Sequence, residues 1–231
     1  MERRSDLSPL ARQLAAHQPL FGLQVQTPLL TLRMPTDHEL VQLLQVIGEG
    51  IHDASFMPFR LGWTDVPSPQ REQESLAHWW RCRADWAPTN WHWCGAVHVG
   101  DHIMGVQDLI ANDFGTLREV SSGSFIGLKH QGRGIGKEMR AAVLHLAFAG
   151  LGATRAYSGY IEGNTASKRV SEALGYVPNG YSSVVVRGQA VREINLVLER
   201  SVWESRRRDD ISIEGLEECL ELLGASPPGE R

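Results

Sequence analysis

A bend with three glycines at alternate positions constrains the fold of this chain more than any other feature. It lies in the stretch "KHQGRGIGKE" (129–138), with Gly132, Gly134 and Gly136, and an apolar helical pattern follows it over 137–149. Because glycine lacks Cβ, such a bend can adopt positive φ and lets another group approach the backbone closely. Successive N–H groups that lead into a helix N-terminus form an anion site, so a phosphate is the expected ligand.

Two common phosphate-binding motifs do not fit this bend. A Walker A loop would need Gly at 131 and Ser or Thr at 138, where the chain has Gln131 and Glu138. The dinucleotide fingerprint counted from Gly132 would need Gly or Ala where Lys137 stands, and the strands before it have an antiparallel pattern. Glycine-rich bends before helices also occur in proteins without any ligand. Residues 131–136 alone therefore do not decide between a ligand site and a purely structural bend.

Hydrophobic periodicity around the bend predicts a mixed α/β chain. A strand is expected over 23–34, and helices from Thr36 or Asp37 to Gly48 or Gly50 and over 69–83. Three antiparallel strands are predicted within 91–128, with a turn at Gly100-Asp101. After the bend the pattern predicts the following elements: a helix at 137–149, a strand at 153–161, a short helix capped by Asn164 and closed by Gly175, and strands at 181–187 and 190–199.

The two ends of the chain are expected to lie outside the main domain. Residues 1–22 are predicted to be a frayed N-terminal arm, and 23–200 to form the domain itself. Residues 201–231 are predicted to be a C-terminal extension with a charge run, a short helix at "LEECLELL" and a flexible Pro-Pro-Gly end.

Charge and hydropathy patterns narrow the class of protein. The formal net charge is −4, and both signs are spread along the chain, so we expect neither nucleic acid nor a membrane as a partner. The sequence contains no apolar run of the roughly 20 residues that a membrane-spanning helix needs.

Cysteine and histidine spacing predicts no metal site. Cys82, Cys94 and Cys219 are odd in number and lack a familiar ligand spacing, and no apolar signal segment follows the first residues. We therefore expect a reduced, cytoplasmic protein. His98 and His102 flank the predicted hairpin turn but should face opposite sides of the sheet, which disfavours a metal pair there.

The hexapeptide Gln131-Gly132-Arg133-Gly134-Ile135-Gly136 resembles the Gln/Arg-x-x-Gly-x-Gly/Ala pyrophosphate loop of the GNAT (GCN5-related N-acetyltransferase) superfamily. The resemblance implies an α/β (α+β) fold over 23–200: a twisted, mostly antiparallel sheet with splayed central parallel strands and flanking helices. The stretch "GNTASKRVSEALGY" (163–176) resembles the RimJ/RimL type within this superfamily. The segments "MPFRLGWTD", "SGSFIGLKHQGRGIGKEMRAAVLHLAFA" and "GLEECLELLG" further resemble an actinobacterial subgroup that includes a mycobacterial succinyl-CoA-linked transferase.

The resemblance also implies a co-substrate, acetyl-CoA or succinyl-CoA. Its pyrophosphate would lie on the backbone of the bend, and its pantetheine arm would pair with the preceding strand and part it from the strand near 154–160. The expected cofactor-binding residues belong to that strand, to the bend and to the following short helix: Ser124, Phe125, Ile126, Gln131, Gly132, Arg133, Gly134, Ile135, Gly136, Lys137, Asn164 and Ser167.

Acyl transfer to an amine needs a neutral nucleophile, a donor to the developing oxyanion and a proton for the departing thiolate. In the family the oxyanion donor is a backbone N–H near Ile126. Many relatives carry Tyr where this chain has Ser171, so Ser167 is the alternative proton donor. For the base, Asp108, His130 and Glu162 are also candidates, and Glu119 is the predicted residue.

The segment "FMPFRLGWTD" (56–65) is expected to cover the acceptor and the acyl group, with Phe59 and Trp63 as contacts, although plain packing would also explain its aromatics. A succinyl carboxylate would need a cationic partner, and Arg60 or Arg118 is predicted to supply it. The resemblance thus implies an N-acyltransferase whose acceptor is a protein N-terminus, a lysine or a small amine, and it is compatible with a homodimer. The alternatives are a non-catalytic acyl-CoA sensor or assembly module and an antibiotic-modifying N-acetyltransferase.

Overall fold

A computed structural model describes residues 7–225 of the chain. The α-helices are α1 (Pro9–Ala15), α2 (Asp37–Gly48), α3 (Gln70–Ala84), α4 (Phe114–Leu117), α5 (Ile135–His145), α6 (Thr165–Leu174) and α7 (Arg200–Glu204). The strands are β1 (Gln24–Gln26), β2 (Thr31–Arg33), β3 (Asn90–Val99), β4 (His102–Asn112), β5 (Glu119–Ser121), β6 (Ser124–Ile126), β7 (Arg155–Ile161), β8 (Val177–Val186), β9 (Gln189–Glu199) and β10 (Ser212–Glu214). In this part of the chain, no helix combines the length and apolar character needed to cross a membrane.

Within residues 7–225 the ten strands form one sheet, in the order β10-β1-β2-β3-β4-β5-β7-β9-β8, and β6 pairs with β4 beyond the end of β5. All pairings are antiparallel except that of β5 with β7. The predicted fold class is therefore confirmed: a mostly antiparallel sheet whose central strands run parallel.

Strand β3 shows how the sheet separates two packing layers. Side chains alternate between the two faces of a strand. Trp91, Trp93 and Val97 pack into the large core that contains α5. Cys94 and Ala96 point the other way, into a smaller cluster with α2 and α3. The sheet is thus covered by helices on both faces.

The predicted first strand, 23–34, is instead a hairpin of two three-residue strands, β1 and β2. The Thr27 hydroxyl accepts hydrogen bonds from the backbone N–H groups of Leu29 (3.1 Å) and Leu30 (3.1 Å). This local turn interrupts an alternation that reads as continuous in the sequence.

Both ends of the described chain are more ordered than the sequence suggested. The prediction of a frayed arm is wrong for residues 7–22. Helix α1 is capped by Ser8 and buries Ala11, and the side chains of Leu20 and Phe21 are part of the large core. At the other end, β10 pairs with β1 along the edge of the sheet. The Pro-Pro-Gly end lies outside the described residues.

The C-terminal extension is held by the aromatic side chains that precede and begin β3. The indole N–H of Trp86 donates to the Leu222 carbonyl (2.8 Å), and that of Trp91 to the Leu223 carbonyl (3.0 Å). In place of the predicted helix at "LEECLELL", a 3₁₀ turn over Glu217–Cys219 buries Cys219 and leads into turns up to Gly224. The extension therefore completes the large core.

A buried polar group links β2, α2 and β3. Arg33 donates to the carboxylate of Glu39, which also accepts from the backbone N–H of Thr36 in the capping box that starts α2. His98 lies 4.0 Å from Glu39. Burial and the neighbouring Arg33 charge lower the pKa of His98 to about 4.

This shift predicts acid sensitivity. The histidine titrates near 6.5 in the unfolded chain and near 4 in the folded protein. The unfolded state therefore binds more protons between these values, and stability falls as the pH drops through this window, by roughly 3 kcal/mol. Burial opposes ionisation of Glu39, but hydrogen bonds from Arg33 and Thr36 lower its pKa below 4.5, so its contribution is lost only at lower pH.

Urea unfolding at several pH values between about 4.5 and 7.5 measures this effect. His98→Gln should flatten the pH dependence of the unfolding free energy in this range. The exposed histidine variant His38→Gln is the control and should keep the wild-type slope. A slope unchanged in His98→Gln would contradict the assignment.

Candidate active site

The glycine bend has the geometry of an anion cradle. Gly132 has φ +75° and Gly134 has φ +82°, and a Cβ added at either position would meet open space. Gly134 is the N-cap of α5. Among the described residues, the backbone N–H groups of 132–136 have no hydrogen-bond partner in the protein, whereas the N–H groups of Lys137 and Glu138 bond to the Gly134 carbonyl (both 3.1 Å). Unpaired N–H groups at a helix N-terminus attract an anion.

The side chains around the bend take three different roles. Gln131 braces the loop, since its amide donates to the carbonyls of Ile51 (2.8 Å) and Ile126 (3.0 Å). Gly136 gives space for packing, because its added Cβ would lie 3.5 Å from Ile126. The side chains of Arg133 and Lys137 are exposed beside the cradle and carry positive charge.

The central parallel strands separate next to this bend. β5 and β7 pair up to Ser121, and one further bond joins the Ser122 N–H to the Tyr157 carbonyl (3.1 Å). β6 then continues along β4 alone, while β7 continues along β9. The sheet is therefore splayed between β6 and β7, as the family resemblance implied.

Backbone groups of β6 face this gap. Gly123 and Gly127 bond to β4, through Asp108 N–H to Gly123 O (2.8 Å) and Gly127 N–H to Met104 O (2.9 Å). Because bonding alternates along an antiparallel strand, the backbone groups of Ser124 and Ile126 point away from β4, towards the gap. The Ile126 carbonyl already accepts from Gln131. The N–H groups of both residues can therefore serve a ligand.

Helix α6 borders the bend. The Asn164 side chain accepts from the Ser167 N–H (3.1 Å) and caps α6, as predicted. Val170 lies 3.7 Å from the Cβ position of Gly136, which brings α6 against the start of α5. Ser167 is half-buried in the first turn. Its predicted role as a proton donor stays a prediction.

A buried arginine that sequence reasoning missed spans the gap. Arg140 is only 5% exposed, and it donates to Ser158 on β7 (2.9 Å), Ser124 on β6 (3.2 Å) and Gln107 on β4 (3.3 Å). It therefore connects the separated strands from the α5 side. A charged residue within the apolar face of a predicted helix was the signal available in the sequence.

A cavity of about 620 Å³ opens on the other side of β6. Its wall includes Gly123, Ser124 and Phe125, together with Phe59 and Trp63 of the predicted covering loop. The ring centroids of Phe59 and Trp63 are 5.4 Å apart, and those of Trp63 and Phe125 are 5.8 Å apart. The loop thus packs directly over the strand that borders the gap.

The turn between β8 and β9 holds this loop in place. Arg187 donates to both carboxylate oxygens of Asp65 (2.7 and 2.8 Å) and to the Ala54 carbonyl (2.9 Å). Hydrogen bonding to Arg187 lowers the pKa of Asp65. Arg60 also lines the cavity, 3.7 Å from Glu193, with a side chain that is 64% exposed.

Asp108 is the carboxylate of this cavity that lies beside β6. One of its oxygens is 3.7 Å from the Cβ position of Gly123, and the other is 3.3 Å from Nε2 of His92. Burial disfavours charge on His92, but hydrogen bonds with Asp108 and Cys82 raise its pKa to about 10. Glu74 is the second carboxylate of the cavity wall.

Two predicted site residues lie elsewhere. Glu119, the predicted base, accepts from Arg155 (3.4 Å) and Tyr157 (3.2 Å) and is not part of the cavity wall. Arg118 packs over the Phe114 ring, 5.2 Å from its centroid, and donates to the Leu151 carbonyl. Both residues come before the point, at Ser122 and Gly123, where β5 ends and the chain continues as β6. Of these two strands, only β6 borders the cavity.

Comparisons with solved structures give proteins of similar fold. In fold, the chain resembles RimJ of Mycobacterium smegmatis in complex with a CoA disulfide (TM-score 0.65, 14% identity, 85% of this chain and 91% of that chain). It also resembles RimL, the ribosomal L7/L12 α-N-protein acetyltransferase, in complex with CoA (0.60, 14%, 75% and 95%). A third similar structure is the ribosomal-protein-S5-alanine acetyltransferase of Vibrio fischeri (0.59, 18%, 78% and 98%).

Sequence comparison gives the family directly. Residues 30–177 match the family described as "Acetyltransferase (GNAT) domain", which is more than half of the chain. The match includes the predicted bend and the splayed strands. The chain therefore belongs to the GNAT acetyltransferase family.

Proposed function

We propose that this protein is an acyl-CoA-dependent N-acyltransferase that moves an acetyl or a succinyl group to a primary amine. The observation that carries the proposal is the gap between β6 and β7. It opens beside five backbone N–H groups that have no partner within residues 7–225. Such a gap leaves backbone polar groups that need a ligand. Acyl-CoA offers a pyrophosphate and amide groups of matching chemistry.

The residues proposed to bind the coenzyme lie around the gap. Its pyrophosphate would be held by the N–H groups of 132–136, with Arg133 and Lys137 adding positive charge. The backbone of 124–126 would pair with the pantetheine amides. Asn164 and Ser167 belong to the N-terminal end of α6, the helix that packs against the start of α5, and are assigned to the same ligand.

The reaction requires three tasks of this chain's residues. Acetyl-CoA supplies the thioester carbonyl that the amine attacks. We propose that Asp108 is the general base and accepts the proton that the amine releases as the C–N bond forms. Its carboxylate lies in the cavity wall beside β6. The Ile126 N–H is the proposed donor to the developing oxyanion. Ser167, or solvent, would return a proton to the thiolate as the C–S bond breaks.

Charge in the cavity favours an acceptor that is not a polycation. Three arginines line it (Arg60, Arg71 and Arg81), against two carboxylates, Glu74 and Asp108. A pocket for a polycationic antibiotic would be expected to gather carboxylates instead. A protein N-terminus followed by polar or acidic residues fits this lining better, and the RimJ- and RimL-like folds are consistent with it.

A succinyl donor would place a carboxylate in this cavity, with Arg60 as its proposed partner. Arg60→Ala should lower the turnover ratio of succinyl-CoA to acetyl-CoA by about 10-fold, since a charge-assisted hydrogen bond is worth roughly 1.5–3 kcal/mol. Steady-state rates with the two donors and one acceptor measure the ratio. Arg192→Ala, an exposed arginine outside the cavity wall, should leave it unchanged; an unchanged ratio in Arg60→Ala would discard Arg60.

Thiol release with the full-length protein tests the proposed function. Acetyl-CoA and succinyl-CoA are offered with peptides that have free N-termini, peptides that have only a free lysine, and small amines. We expect amine-dependent release of CoA and a product heavier by one acyl group. Binding of acyl-CoA without turnover on any acceptor would favour a sensor, and absence of binding would reject both readings.

A further inference from the structure

Two cysteines and two histidines meet between α3 and β3. His78 and Cys82 are one helical turn apart on α3, and His92 and Cys94 are two residues apart on the same face of β3. One ligand atom from each side chain lies within 4.8 Å of every other. The Cys82 sulfur is 3.4 Å from Nδ1 of His92 and 3.7 Å from Nε2 of His78.

The two distances from the Cys82 sulfur match the edges of a tetrahedral metal site. With metal–sulfur bonds of about 2.3 Å and metal–nitrogen bonds of about 2.0 Å, sulfur and nitrogen ligands stand about 3.5 Å apart. A small cavity of about 10 Å³ is bounded in part by Cys82, His92 and Cys94. Two thiolates with two imidazoles form a ligand set that zinc prefers.

The surroundings of His92 support the same reading. Its Nδ1 faces Cys82, so its Nε2 is the nitrogen that faces Asp108 at 3.3 Å. Both Nε2 of His92 and that Asp108 oxygen are buried, and neither atom has a hydrogen bond of good geometry within residues 7–225. A carboxylate behind a metal-binding histidine fixes the tautomer and the orientation of the ring.

The third cysteine does not belong to this group of side chains. Cys219 is buried elsewhere, and its thiol donates to the Gly215 carbonyl (3.2 Å). The described thiols close to histidine are therefore those of Cys82 and Cys94.

We propose that His78, Cys82, His92 and Cys94 bind one zinc ion in a structural site. The ion ties α3 to β3. Because His78 and His92 also line the cavity, the site fixes the wall that faces the acceptor. This proposal does not depend on the acyl-transfer reaction.

The sequence hides this site because its ligands come from two different elements. The pattern His-x₃-Cys followed, after nine intervening residues, by His-x-Cys was the available signal. Cysteine spacing alone, and the pair His98 and His102, predict no metal site. Neither histidine of that pair belongs to the cluster.

Metal analysis of the full-length protein tests the proposal. Protein purified with reduced thiols should contain about one zinc ion per chain, as measured by inductively coupled plasma mass spectrometry. After removal of metal by a chelator, added Co²⁺ should give the intense visible bands of a tetrahedral site and a thiolate-to-cobalt charge-transfer band. Chelation should also lower the melting temperature.

Variants separate the site from adventitious binding. Cys82→Ser and Cys94→Ser should weaken Zn²⁺ binding by at least about 100-fold, and His78→Ala, an exposed position that should not impair folding, by about 10- to 100-fold. Cys219→Ser removes a thiol outside the cluster and should bind Zn²⁺ as the wild type does. Unchanged Zn²⁺ affinity in the cluster variants, a cobalt spectrum without the thiolate band, or a Cys82–Cys94 disulfide as the native form would overturn the proposal.

Discussion

Gly134→Val should weaken acetyl-CoA binding by about 100-fold or more, which is about 2.8 kcal/mol. Gly134 has φ +82° and caps α5, and its missing Cβ keeps the cradle open. A β-branched residue strains this conformation and places carbon where the pyrophosphate would approach the N–H groups. Isothermal titration with acetyl-CoA measures the loss.

Gly180→Val controls for backbone strain in this experiment. Gly180 has φ +79°, and a Cβ there would also meet open space, but the residue lies on β8. Both variants should lose similar folding stability, whereas only Gly134→Val should lose the ligand. Equal affinities in the two variants would show that the bend does not hold the coenzyme.

Asp108→Asn should reduce kcat by about 10²- to 10³-fold while the Kd of acetyl-CoA changes little, because a general base contributes about this much to the rate. The amide keeps the size of the carboxylate but cannot accept the amine proton. Thiol release under saturating substrates gives kcat, and titration of the same preparation gives Kd.

Glu119→Gln is the matched control for the base. It removes a carboxylate that pairs with Arg155 and lies outside the cavity wall. Its kcat should stay within about twofold of the wild-type value, as expected for a surface charge. A large loss of kcat in Glu119→Gln with little loss in Asp108→Asn would identify Glu119 as the base and reject Asp108.

Local patterns in the sequence predicted the parts of the fold that local physics determines. The glycines of the bend, the Asn164 cap and the Val99–His102 hairpin register all follow from residues close in the chain. The splay was predicted through family resemblance. The Thr27 turn and the edge strand β10 were not predicted. Strand β10 depends on pairing with β1, almost 190 residues away in the sequence.

Site chemistry was harder to predict for a related reason. Which side chains meet in a cavity depends on strand register and on where a strand breaks. Glu119 and Asp108 are both candidates in the sequence, but only Asp108, on β4 opposite Gly123, belongs to the cavity wall. The cluster of cysteines and histidines likewise needs α3 to lie across β3.

A crystal structure of the protein with CoA tests the central claim most directly. The account predicts the pyrophosphate within hydrogen-bond distance of the N–H groups of 132–136, and the pantetheine arm between β6 and β7. Density for CoA at another surface, or a gap that closes by pairing of β6 with β7 in a fully soaked crystal, would contradict it.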